Sequence, residues 1–68
     1  MYKHYKHYAF NLTTEEMYAC TTGNRLKRVV SASEWYDRKH GEKPGKWIFA
    51  HGTNARAKLS EKINAYQN

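Results

Sequence analysis

The sequence predicts a small α+β domain of three short strands alternating with three helices. Three observations predict it. The longest apolar run, Trp47-Ile48-Phe49-Ala50, lies between a Pro44-Gly45 turn signal and a Gly52-Thr53-Asn54 break, the pattern of a short buried strand leading into a helix. Two Ser/Thr-x-x-Glu boxes, Thr13 to Glu16 and Ser31 to Glu34, mark helix starts. Ala55, Leu59, Ile63 and Tyr66 recur at helical spacing after the break.

Sixty-eight residues form one domain, spanning 1–68. A chain this short buries only about 60% of its unfolded surface, so its core is small. The hydrophobic fraction of 40% lies above that of disordered chains. A single cysteine, Cys20, forms no intramolecular disulfide, and no apolar run is long enough for a signal peptide or a membrane span. The expectation is a soluble, cytoplasmic protein without membrane contact. Twelve Lys and Arg against six Asp and Glu leave a net charge of +6. That bias favours polyanions: nucleic acid first, an acidic protein surface second, anionic lipid third.

The elements follow in order. Residues 1–4 are expected to fray, and a strand covers about 5–12, with Tyr5, His7 and Ala9 on one face and Lys6, Tyr8 and Phe10 on the other. The Thr13–Glu16 box, with Leu12 and Met17 as its hydrophobic staple, opens a helix over about 14–22 that stops at Gly23. Residues 25–30 read as a strand because Val29 and Val30 are adjacent β-branched residues. The Ser31–Glu34 box, with Val30 and Trp35 as staple, then opens a helix over about 32–40 ending at Gly41. The strand at about 46–51 and a helix at about 54–66 complete the chain, with Gln67 and Asn68 fraying.

The segment from Asn24 to Gly41 admits a second reading. Leu26, Val29, Val30, Ser33 and Tyr36 also have helical spacing, so Asn24 could cap one long helix reaching about His40. Ala19, Gly23 and Val29 then stand where two helices approach, where a turn needs positive φ, and on an inner face. This spacing resembles the helix-turn-helix of small bacterial and phage repressors over about twenty of the 68 residues. The resemblance implies an alternative fold, a helix-turn-helix with a β-hairpin or wing.

Two basic clusters are the candidate nucleic-acid contacts. Asn24, Arg25, Lys27 and Arg28 are the first, as groove or phosphate contacts; Arg38, Lys39, Lys43 and Lys46 are the second, as phosphate clamps. Trp35 and Tyr36 precede the second cluster and would stack on bases or contact a partner if exposed; the staple position instead puts Trp35 in the core. No Cys/His pair has zinc-finger spacing, and His4 and His7 lie three apart on an expected strand, so no metal is expected. No nucleophile motif or phosphate-cradling Gly-rich loop occurs, and Glu15, Glu16 and Glu34 are committed to caps. The expectation is therefore a non-enzymatic, cofactor-free nucleic-acid binder, of duplex DNA and of bacterial or phage regulatory type. The alternative is an interaction module, adaptor or inhibitor, docking on an acidic protein surface. An open edge strand also leaves room for a homodimer.

Overall fold

The structure, a computed structural model, describes residues 5–67. The expected fraying of residues 1–4 and Asn68, and the position of His4, lie outside these. Strand β1, His7–Asn11, is packed on both faces and becomes the centre of the fold. Tyr8 and Phe10 point to one side, Ala9 and Asn11 to the other. Strand β2, Met17–Cys20, and strand β3, Trp47–His51, flank it, and both pair antiparallel with it, in the order β2-β1-β3. Helix α1, Gly23–Lys39, crosses over β1 to connect the two outer strands, and helix α2, Ala55–Gln67, ends the described chain.

The helices cover opposite faces. Leu26 and Val30 of α1 pack on Ala9 and Cys20, with Tyr18, Val29 and Trp47 around them. Ala55 and Leu59 of α2 pack on Ile48 and Ala50, with Tyr8, Phe10, Leu12 and Ile63 around them. Ala9 is fully buried, and its small side chain lets α1 lie close to the sheet. The two helices are also offset. α1 packs on β2 and β1, whereas α2 packs on β1 and β3. Each leaves one strand uncovered on its own side, which explains why Phe49 and Met17 remain exposed.

The α+β class stands, but the expected counts do not: there are three strands and two helices. Residues 14–22 form a hairpin turn and β2 in place of a helix. The buried Asn11 decides this, because its Oδ1 accepts from the amides of Thr13 (2.8 Å) and Thr14 (3.1 Å). Glu15 then turns the chain back with φ 62°, and the Asn11 amide donates to the Glu16 carbonyl at 2.8 Å. The Glu16 carboxylate accepts from the Tyr18 hydroxyl instead of closing a capping box. Pairing also gives β1 a second neighbour, and a two-stranded sheet alone is marginal.

Residues 25–30 are helical, so the expected strand there, and with it the separate helix at 32–40, is replaced by one α1. A strand would have put Arg28 beside Leu26 and Val30, and Arg25 and Lys27 beside Val29. A helix puts the apolar residues on one side. Thr22, not Asn24 or Ser31, is its N-cap, accepting from the Arg25 amide. Gly41, at φ 77°, closes it while the Glu42 amide donates to the Asp37 carbonyl. The helix-turn-helix alternative falls with the missing first helix.

Candidate nucleic-acid interface

Continuity of α1 has a direct effect on the charged residues. With 3.6 residues per turn, the buried Leu26 and Val30 and the half-buried Val29, Ser33 and Asp37 define the sheet side. Asn24, Lys27, Arg28, Ser31, Trp35, Arg38 and Lys39 fall on the solvent side and are exposed. All exposed charged residues of α1 are basic, since its two acids, Glu34 and Asp37, are half-buried. The helix therefore unites most of two clusters that a strand–helix break would have separated.

Arg25 departs from this stripe. It turns to the β2 flank, where it lines a hollow of about 340 Å³ with Tyr5, Met17 and Val29. Lys27, exposed at the border of the solvent side, also lines a hollow toward β3. Lys46 does not join α1 at all: its Nζ sits 4.0 Å from the ring centroid of Tyr66 on α2, across the sheet. Lys43 is exposed in the connection after α1.

Trp35 is 63% exposed, which overturns its expected place in the core. Once Ser31 lies inside the helix there is no cap for Trp35 to staple. The Lys39 ammonium lies 5.0 Å from its ring centroid, and Tyr36, also exposed, packs on His40. Arg38 and Lys39 occupy the last turn, where cations complement the helix dipole. The first turn has no acid to complement its positive end, and carries Arg25 instead. An anion at this end must come from another molecule or from another part of the fold.

A second group of residues forms on the β3 side. His7 and His51 face each other across the β1–β3 pair, with their Nδ1 atoms 2.8 Å apart. With Gly23, Leu26, Lys27 and Phe49 they line a hollow of about 440 Å³. Sequence reasoning missed this group because strand register decides it, and register is non-local. Among the described residues no group of three His, Cys, Asp or Glu could hold a metal ion.

Burial, followed by the like charge of His7, Lys62 and Lys27, holds the His51 imidazole below its ordinary 6.5. The unfolded chain therefore binds more protons than the folded one as pH falls below about 6.5. Stability is expected to be full above that pH and to decline below it. Urea midpoints measured from pH 8 to pH 5 should show a decline that His51→Gln flattens; an equal decline in the variant would assign it elsewhere.

Comparison with protein-family models, with curated proteins and with solved structures finds no match. Among the described residues no helix is long and apolar enough to cross a membrane.

Proposed function

We propose that this protein binds duplex DNA by laying α1 in the major groove, a reading that fits a small regulator of bacterial or phage type. The observation that carries it is the solvent side of α1, where Lys27 and Arg28 toward one end and Arg38 and Lys39 at the other are exposed and no acid is. Seventeen residues make a helix about 25 Å long and 10–12 Å across, which suits a groove about 12 Å wide. Asn24 and Arg28 have the side chains that read adenine and guanine edges, and Lys27, Arg38 and Lys39 would neutralise phosphates on either wall. The deep, narrow groove of duplex RNA would not admit the helix.

The test is duplex affinity across a salt series. Lys27→Glu and Arg28→Glu should each weaken binding about tenfold, and each lost phosphate contact should flatten the salt slope by about 0.9. Lys46→Glu removes the same charge from the other side and should change affinity far less. Equal losses in all three variants would reduce the effect to net charge, and no loss in the α1 variants would remove DNA from this reading.

Trp35 favours a second reading. An exposed Trp beside Tyr36 and basic residues has the composition of a protein-interaction hot spot. Under that reading α1 docks on an acidic protein surface, and Trp35→Ala abolishes binding to that protein while duplex affinity is weak throughout.

A further inference from the structure

The two edges of the sheet are finished differently. The Leu12 amide donates to the Lys46 carbonyl and the Gly52 amide to the Lys6 carbonyl, so alternate β1–β3 pairs are hydrogen-bonded from those ends. Trp47, Phe49 and His51 therefore turn their backbone groups outward. Two lysines of α2 occupy that edge: Lys62 Nζ donates to the Phe49 carbonyl at 2.6 Å, and Lys58 Nζ to the His51 carbonyl at 3.5 Å. Lysines over an edge strand block further pairing.

Among the described residues the β2 edge has no such cover. The Asn11–Glu16 bond sets the alternation, so Met17 and Ala19 turn their amides and carbonyls outward. Among the described residues no side chain hydrogen-bonds to them. The edge is also charged oppositely at its two ends. Glu15 and Glu16 precede β2, while Thr22, the acid-free first turn of α1 and Arg25 follow it.

We propose that two copies of this chain pair antiparallel through β2, about a two-fold axis at Ala19. An isologous contact must be self-complementary, and this edge is. Antiparallel pairing sets Met17 of one copy against Thr21 of the other. It sets Glu16 of each copy against Thr22 and Arg25 of the other, which supplies both helices with the carboxylate their first turns lack. At the axis Ala19 pairs with Ala19, so the paired side chains there are small, with Tyr5 lining the same flank. The three strands of each copy become one continuous antiparallel sheet, and the two-fold, perpendicular to it, places both α1 helices on the same face. The pairing stands on the edge itself; only its use, presenting two α1 helices to one duplex, rests on the DNA reading.

Sedimentation equilibrium of the full chain from about 1 µM to 1 mM, without nucleic acid, tests the pairing, with amide exchange followed at Met17 and Ala19. The expected result is a monomer–dimer equilibrium in which the Ala19 amide slows as concentration rises. Ala19→Pro deletes only an outward amide, so β1–β2 pairing is retained and the variant should be a folded monomer. If that variant does not fold, charge exchange decides: Glu16→Lys and Arg25→Glu should each weaken the dimer at least tenfold, and the double variant should recover it. A chain that stays monomeric at 1 mM overturns the proposal. So do an Ala19 amide protected independently of concentration, a dimer that survives a folded Ala19→Pro, and a double variant no better than the singles. A dimer that fails to bind duplex would leave the pairing intact and remove the DNA reading alone.

Discussion

Leu26→Ala is expected to remove a large part of the stability of this protein. Leu26 is 1% exposed and sits against Ala9, Cys20 and Val30, where α1 meets the sheet. Truncating a buried Leu to Ala costs about 2–5 kcal/mol, because the neighbours only partly fill the cavity. A chain of 68 residues has roughly 3–10 kcal/mol in total. The melting temperature should fall by on the order of 10–30 °C. Trp35→Ala supplies the control. It removes a larger side chain from the same helix, yet it should change stability by less than about 0.5 kcal/mol, because that side chain is exposed. Thermal denaturation of both variants reads out the rotation of α1 about its axis. If Trp35→Ala proved the more damaging, Trp35 would face the sheet and the basic stripe would lose its place on the solvent side.

The parts of the fold legible in the sequence are those in which local pattern and tertiary packing agree. Pro44-Gly45 and the run from Trp47 to Ala50 announce β3, and Ala55, Leu59 and Ile63 announce α2; Ile48, Ala50, Ala55, Leu59 and Ile63 pack together on the side their periods imply, whereas Phe49 stays exposed. Thr13–Glu16 and Ser31–Glu34 mislead because each box satisfies the local rule while a more distant partner prevails. For Thr13 that partner is the buried Asn11 side chain, together with the open edge of β1. For Ser31 it is the sheet, which draws Leu26, Val29 and Val30 to one side and leaves Ser31 on the other. Tyr66 shows the same limit on a smaller scale: its spacing fits the α2 stripe, yet it lies exposed under Lys46 because the sheet ends before reaching it.

The candidate interface was legible in its members and not in its geometry. Charge alone selects Lys27, Arg28, Arg38 and Lys39, but only an unbroken helix aligns them. Three residues decide that continuity: Leu26, Val29 and Val30 bring less burial to a strand with alternating charges than to one helix face. The same packing excludes Lys46, which sequence places near the second cluster and the sheet places behind it. The His7–His51 contact needs the β1–β3 register, forty-four residues apart in the chain, and no local pattern reports it.

Gly45→Ala should be the most damaging single-methyl change in the molecule. Gly45 has no unusual backbone conformation to protect; its importance is the space it leaves. A Cβ there would overlap the Asn11 Oδ1 and approach both the Asn11 Cγ and the Thr13 Cβ to 2.8 Å. Asn11 is 1% exposed and cannot turn away without releasing the Thr13 and Thr14 amides that hold the β1–β2 turn. Overpacking costs about 1–3 kcal/mol, and each of the two released hydrogen bonds about 1 kcal/mol more, so a total loss of roughly 3–5 kcal/mol is expected. Asn11→Ala breaks the same two bonds directly, but it also removes a buried Nδ2 that has no hydrogen-bond partner among the described residues. The two substitutions should therefore be strongly non-additive. In the Asn11→Ala background most of the overlap is gone, and Gly45→Ala should cost at least about 1 kcal/mol less than in the wild type. Urea denaturation of the four proteins closes this cycle. Additive losses would mean that Gly45 and Asn11 act separately, and that the turn which replaces the expected helix is held by something other than the Asn11 carboxamide.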